Sequence, residues 1–319
     1  MNPVVSRLPI LVLEPHSRCN CRCVMCDIWK TTEAREISAA ELERHLEDIQ
    51  RLGVEWAVFS GGEPLMHSDL FRLACLLRAR GIRTTVLSSG LLLERYSAEI
   101  VAGIDDAIVS LDGPREIHDR IRGIPGAFDR LEAGVRALRR LAPRYSITAR
   151  CTVQAVNAAH LRATVEAARR LGLDSISFLA ADLGSTAFNR TPPWPGERQA
   201  RVAPALDELQ PEIEALIEAH DGFIVESPEK LRRMGAHFRA YWGQEAYIAP
   251  RCNAPWVSAV VEPNGDVRPC FFQPAYGNLA HGTLAEVLNG PAAVAFREGL
   301  EVAADETCRR CVCSLYRET

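Results

Sequence analysis

The sequence predicts an α/β fold: a parallel sheet of six strands with helical crossovers, followed by a small β-hairpin and helix module. Three observations point to it. Between residues 8 and 180, short apolar runs alternate with stretches of helical period, and such units pack as parallel strands joined by right-handed crossovers. Nothing restarts the series before its sixth strand. From about Tyr247 the pattern changes to two short strands around Asn264-Gly265, a strong hairpin signal. Periodicity alone leaves open whether the six-stranded sheet is flat or curved.

Leu8-Pro-Ile-Leu-Val-Leu13 is the first strand, with Pro9 tolerated near its start or on an edge. A cysteine-rich loop follows directly. Ser38-Ala-Ala-Glu41 has the capping-box pattern and opens a helix with Leu42, Leu46 and Ile49 on one face. Trp56 to Phe59 is the second strand. Ser68 is placed to cap the next helix, whose Leu70, Leu73, Ala74 and Leu77 face inward and which Gly81 ends. Thr84 to Leu87 is the third strand and Asp106 to Leu111 the fourth, with a helix around Phe128, Leu131, Val135 and Leu138 after it. Ser146 to Val153 is the fifth. Asn157 is placed to cap a helix carrying Leu161, Val165 and Leu171, and Ser175 to Leu179 is the sixth strand.

Residues 183–199 are rich in turn formers (Thr191-Pro-Pro-Trp-Pro-Gly196) and make a connector or a lid. Val202 to Ile217 reads as an amphipathic helix that Pro211 kinks or splits. Ser227-Pro228 starts another, with Leu231, Met234 and Phe238 inward. Trp256 to Glu262 and Val267 to Phe272 form the hairpin, joined by a type I′ turn at Asn264-Gly265. A helix around Leu284, Val287 and Leu288 precedes the closing Cys308-Arg-Arg-Cys-Val-Cys313. The segments so predicted are 1–183, 184–246 and 247–319.

At 319 residues and 47% hydrophobic content, the chain can bury a sizeable core. A net charge of −4 gives no reason to expect nucleic acid or an anionic membrane surface as partner. No apolar stretch approaches a membrane span, and Met1 to Leu13 lacks the organisation of a secretory signal, so the expected location is cytoplasmic. Eleven cysteines in a secreted chain would suggest disulfides; clustered as they are here, they suggest metal.

Cys19, Cys23 and Cys26 are separated by three residues and then two. A loop of that length can turn three thiolates toward one point. Thiolate favours zinc or iron–sulfur. A structural zinc site is closed by four ligands, whereas three thiolates on a four-iron cube leave one iron open. Gly61-Gly-Glu-Pro64 follows the second strand, and Val109-Ser-Leu-Asp-Gly-Pro114 ends the fourth. Cys252, Cys270, Cys308 and Cys311 are four further candidate ligands, and Cys313 can replace Cys311. Their spacing suits a zinc ribbon as well as an iron–sulfur cluster. In two-residue-turn register Cys270 pairs opposite Ala259, so Cys252 must swing back toward the hairpin.

The first cysteine spacing followed by Gly-Gly-Glu-Pro resembles the signature of the radical S-adenosylmethionine (SAM) enzymes. The C-terminal pattern resembles their twitch module, the one-cluster relative of the SPASM domain. Together the resemblances cover residues 10–180 and 250–313. They imply a partial (β/α)6, TIM-like barrel with chemistry at the carboxyl ends of the strands. They also imply a [4Fe–4S] cluster on Cys19, Cys23 and Cys26 whose open iron SAM chelates. An auxiliary [4Fe–4S] cluster would sit on Cys252, Cys270, Cys308 and Cys311. Glu63 would take the amino group of SAM, and Gly61 and Gly62, in the motif that Pro64 closes, would let backbone approach its methionyl part. Met25 would lie near the adenine, with Ser89, Ser110 and Asp112 at ribose and methionyl groups. Arg122 is a candidate partner for a carboxylate. Arg150 and Cys151 lie on opposite faces of the fifth strand, so one of them points into the barrel, as a ligand contact or as a hydrogen donor.

The implied chemistry begins with an external electron donor, such as flavodoxin or ferredoxin, reducing bound SAM. The resulting 5′-deoxyadenosyl radical takes a hydrogen from the substrate. Oxidation (dehydrogenation) of a small molecule, as in the aminocyclitol dehydrogenase branch, or its epimerisation is the expected outcome, in natural-product biosynthesis. Maturation of a ribosomal peptide is the alternative. Only 18 residues precede Cys19, which leaves no room for the N-terminal winged-helix domain of many peptide-modifying relatives. A zinc-binding or electron-transfer protein is the non-enzyme alternative, and neither accounts for the glycine motif beside an open three-thiolate loop.

Overall fold

The computed structural model describes residues 2–318; Met1 and Thr319, the outer limits of the first and last predicted segments, lie outside them. Six strands run parallel in chain order: β1 (Ile10–Leu13), β2 (Trp56–Phe59), β3 (Arg83–Ser88), β4 (Asp106–Ser110), β5 (Ser146–Val153) and β6 (Ser175–Ala180). The sheet does not close. Its β1 edge continues into the C-terminal segment, where β7 (Ser258–Val261) pairs parallel with β1 and β8 (Asp266–Arg268) and β9 (Gly277–Asn278) follow antiparallel. One nine-stranded sheet results, ordered β6-β5-β4-β3-β2-β1-β7-β8-β9. The auxiliary segment is therefore an extension of the barrel sheet, and β7 satisfies backbone groups that β1 would otherwise leave at an open edge.

The core lies between the sheet and its crossover helices. On β5, Ile147, Ala149, Cys151 and Val153 are buried, packed in one cluster with Phe128, Leu131, Val135 and Leu138 of helix Ala127–Leu141 and Leu161 of helix Leu161–Arg170. Each such aliphatic side chain contributes about 1.5–3 kcal/mol by leaving water. Among the described residues no helix is long and apolar enough to cross a membrane.

Several local expectations are corrected, each for a visible reason. The Val202–Ile217 helix is broken at Ala203 rather than at Pro211. Ala203 is extended (ψ 130°) because Pro204 follows it, and helix Leu206–Glu218 carries Pro211 inside it. Ser68 does not cap the helix Leu70–Arg78; its N–H and hydroxyl bind Glu36 instead. Asn157 does not cap either: its amide donates to the carbonyls of Asp112 and Thr152, tying the ends of two strands. Helices Ser97–Gly103 and Arg115–Arg122 were not foreseen. The capping boxes do form, with Ser38 and Glu41 capping one helix and Thr283 and Glu286 another.

The hairpin turn has three residues, not two. Val260 pairs with Arg268 and Val261 with Val267, and Gly265 alone in the turn takes a positive φ, +86°. Pro263 explains the change. The two-residue register would need its N–H for the pair closing the turn, and proline has none. Glu262 supplies that bond instead, donating to Asp266 O at 2.9 Å. The helical turn Ala254–Val257 then replaces the start of the predicted strand.

Candidate functional site

The loop after β1 is held from below by the unforeseen helix Arg115–Arg122: Arg22 N–H donates to Arg122 O (2.8 Å) and Val24 N–H to Ile121 O (3.1 Å). Cys19 and Cys26 are half-buried and Cys23 is buried. Burial, then the charges of Cys23 and Cys19, push the Cys26 thiol up to about 12. Cys23 is drawn down to about 7, chiefly by a hydrogen bond from Cys21, with Arg122 adding to it against burial. The Arg122 guanidinium lies 3.6 Å from Cys23 Sγ and 2.5 Å from Asp112. A cation beside a thiol favours the thiolate, and a donor set of thiolates is what a soft metal group needs. Among the described residues no three Cys, His, Asp or Glu side chains close on a single-ion point. The fit to a metal group rests on donor chemistry and on the cavities described next.

Gly61 and Gly62 seat β2 against this loop. A Cβ on Gly62 would fall 2.1 Å from Arg18 O, and Glu63 N–H donates to that same oxygen at 2.9 Å. Pro64 starts the short 3-10 turn that follows, Pro64–Met66. The Glu63 carboxylate is fully engaged. It accepts from Ser88 Oγ (2.9 Å), Ser89 N (2.7 Å), Ser89 Oγ (2.5 Å) and Leu65 N (3.2 Å). Burial raises its pKa, and these hydrogen bonds oppose the rise. Met25 is half-buried against the core, and Ser110 is half-buried at the end of β4. Asp112 is fully buried and accepts from Thr152 N at 2.8 Å. The carboxylate partner of Arg122 is thus Asp112.

The five C-terminal cysteines come together. Cys252, Cys270, Cys308, Cys311 and Cys313 line one apolar cavity of about 80 Å³, with Val12 of β1 and Val260 of β7 as part of its wall. The reversal at Ala254–Val257 returns Cys252 to the hairpin, as the sequence required. Gln273 Nε2 lies 3.5 Å from Cys308 Sγ and Ala254 N 3.5 Å from Cys252 Sγ. An apolar pocket walled by thiols fits a thiolate-held cluster, and both Cys311 and Cys313 line it.

A second cavity, of about 260 Å³, is lined by residues flanking the first cysteine loop and by the hairpin. Glu14, Ser17 and Ile28 line it from around the first loop, together with Gly62 and with Glu262, Arg268 and Phe271 of the hairpin segment. Burial pushes the Glu14 carboxyl up to about 8; the charge of Glu262 adds to this and Arg268 offsets part of it. Arg268 is ion-paired with Glu262. The segment predicted as connector or lid closes this cavity with Ala187, Phe188 and Asn189. It is pinned on Asp27, whose carboxylate accepts from Trp194 Nε1 (2.7 Å), Arg198 Nη2 (2.7 Å) and Nη1 (2.9 Å). On the other side Phe188 packs on Phe271 and Phe272, ring centroids 6.4 and 6.0 Å apart.

Arg150 and Cys151 divide as the alternation requires. Cys151 faces the helices, fully buried, with Asn157 Nδ2 at 3.5 Å and its thiol pushed far up by burial. A hydrogen donor at the strand ends has to reach the opposite face, so the structure argues against Cys151 in that role. Arg150 is on that face, exposed, with Nε 3.3 Å from Ser177 Oγ and its charge felt by Glu226 and Cys313. Glu14, Asp27, Trp194, Arg198, Glu262 and Arg268 were missed. The signal for Glu14 was its place one residue beyond a strand that ends in a metal loop.

Comparison with known proteins adds to this geometry. The radical SAM superfamily model matches residues 13–168, and that of an iron–sulfur cluster-binding domain, SPASM, matches residues 252–312. AdoMet-dependent heme synthase of Methanosarcina barkeri is 33% identical over 168 residues, 51% of this chain and 48% of that protein. The chain matches about half or less of the length of such curated relatives. PqqA peptide cyclase of Gluconobacter oxydans is 27% identical across 88% of this chain and 76% of its own. Streptococcus suis SuiB bound to S-adenosylmethionine superposes with a TM-score of 0.70 at 16% identity, covering 99% of this chain and 74% of that one. The chain is a member of the radical SAM superfamily with a SPASM iron–sulfur domain, an enzyme class whose cofactors are [4Fe–4S] clusters and S-adenosylmethionine.

Proposed function

We propose that this enzyme oxidises a small polar substrate held in the 260 Å³ cavity, removing a hydrogen atom, then a proton and an electron. The carrying observation is the lining of that cavity: Ser17 and Ile28, which flank the Cys19–Cys26 loop, Phe271, next in sequence to Cys270, and the carboxylates of Glu14 and Glu262. When bound at Cys19, Cys23 and Cys26, the first cluster with SAM supplies the hydrogen-abstracting 5′-deoxyadenosyl radical. Glu63, whose carboxylate Ser88 and Ser89 hold in place, and the backbone at Gly62 would hold the methionyl part of SAM. The hydrogen bond from Cys21, with the Arg122 charge adding to it, favours the Cys23 thiolate. Glu14, in its ionised form, accepts the proton that oxidation releases; with the carboxyl pushed up to about 8, that form is reached at mildly alkaline pH. Cys252, Cys270, Cys308 and Cys311 hold the auxiliary cluster, with an external one-electron donor serving the first.

Glu14→Gln tests this reading. Deoxyadenosine formation should continue while oxidised product falls by about 100-fold or more. In the parent enzyme product formation should rise as pH increases through about 8 and the Glu14 carboxyl ionises. Wild-type product formation by the glutamine variant overturns the assignment.

A second reading, oxidation within a precursor peptide, is favoured by the relatives aligned over most of the chain, whose names are peptide cyclases. It keeps the same residues in the same roles. Deoxyadenosine formation stimulated by a short peptide, and not by polyols or aminocyclitols, selects it.

A further inference from the structure

Helix Pro228–Tyr241 and the chain from Arg309 to Tyr316 enclose a groove of about 700 Å³ that shares no lining residue with the Glu14 cavity. Its walls carry Lys230, Arg232, Arg233, Arg239, Arg251 and Arg309 against Glu229 and Glu245. Six cations less two carboxylates give +4, on a chain whose net charge is −4. Glu245 takes up Arg239 at 3.3 Å, and Arg251 stacks on Tyr316 with its guanidinium carbon 3.6 Å from the ring centroid. Lys230, Arg232 and Arg309 are exposed. Cys311 lines the groove and also walls the apolar cavity of Cys252, Cys270 and Cys308. A one-sign field of this size attracts an oppositely charged surface and speeds its encounter.

We propose that this groove docks an acidic one-electron carrier protein, which exchanges electrons with the auxiliary centre through Cys311. The proposal rests on the oxidative reading above. Each oxidation leaves one electron at the auxiliary centre; the carrier accepts it and leaves reduced by one electron, the centre returns to its oxidised state, and no bond is made or broken. A peptide substrate fits this surface less well, because it would have to reach the separate cavity at Glu14, whereas an electron has only to reach Cys311.

Titration calorimetry of the iron-loaded enzyme with an acidic flavodoxin tests the docking. Lys230→Glu with Arg232→Glu should weaken binding by about tenfold at low salt, and raising salt should weaken the wild-type complex similarly. Arg232→Lys should bind as wild type, and so should Arg140→Glu, an exposed reversal on another helix. Dithionite-driven deoxyadenosine formation should be unchanged in the double variant, which separates docking from the chemistry at Glu14. The loss of affinity supports the groove whatever product the Glu14 cavity yields. Wild-type affinity in the double variant, salt-insensitive binding, or capture of an acidic peptide in place of the flavodoxin overturns it.

Discussion

Gly62→Ala separates a steric requirement of the metal loop from ordinary destabilisation. The added Cβ would sit 2.1 Å from Arg18 O, 2.7 Å from Arg18 C and 3.2 Å from His16 O. All three are backbone atoms, so no side-chain rotation relieves the overlap. An ordinary contact requires the Arg18 carbonyl to retreat by about 1 Å. That movement stretches the 2.9 Å hydrogen bond from Glu63 N, worth about 1 kcal/mol, and it is transmitted at once to Cys19, the next residue. A displacement of about 1 Å in a reacting assembly costs roughly 100-fold in rate. The assay is SAM-dependent deoxyadenosine formation, with iron per chain and melting temperature measured on the same preparation. Gly81→Ala is the control. Its φ is +73° and nothing lies within 4 Å of the new Cβ, so it should lose about 1–2 kcal/mol of stability from backbone strain alone and keep its rate. Full iron and full rate in Gly62→Ala refute the reasoning. An equal loss of rate in Gly81→Ala does so too.

The other predictions concern charge and ligand choice. Asp112→Asn leaves the Arg122 guanidinium buried without its counter-charge, so urea unfolding should show a loss of about 3–5 kcal/mol, largely recovered in Asp112→Asn with Arg122→Met. Asp27→Asn should free the 182–198 segment, destabilise the fold by about 1–3 kcal/mol and change Trp194 fluorescence. Burial raises the Asp27 pKa, but hydrogen bonds from Arg198, Trp194 and Lys30 outweigh it and hold the carboxyl below its usual range. Its contribution is therefore present above the ordinary carboxylate pKa and lost as pH falls through the depressed one, and Asp27→Asn should remove that acid-side loss. Cys311→Ser should cut reconstituted iron from about eight to about four per chain, and Cys313→Ser should leave it; the reverse result exchanges their roles.

What could be read from the sequence was whatever is encoded locally. Cysteine spacing, the glycine motif and the strand alternation each lie within a few residues, and they pointed to two candidate cysteine sites and to the six parallel strands. The face of Cys151 was legible too: Ile147, Ala149 and Val153 share its parity and are apolar, while Thr148, Arg150 and Thr152 are not, so only Arg150 suited the open side. Asp27, Trp194 and Arg198 were out of reach because their pairing joins positions some 170 residues apart with no period to announce it. The turn departs from its Asn-Gly signal because Pro263, beside it, has no N–H to close the two-residue register.

The pairing of β7 with β1 was the least legible element and has the largest consequence. Its register sets Leu13 beside Val261, and Glu14 N donates to Val261 O at 2.9 Å. The next residue on each strand is a glutamate. Two carboxylates, Glu14 and Glu262, are thereby brought to one end of adjacent parallel strands, in the lining of the 260 Å³ cavity. Arg268, opposite Val260 on β8, neutralises one of them. The other is left protonated at neutral pH by burial and by its neighbour's charge. A slip of one residue in β7 would turn Glu262 to the helix side and separate the pair. The acid–base group assigned to the reaction is thus set by strand register.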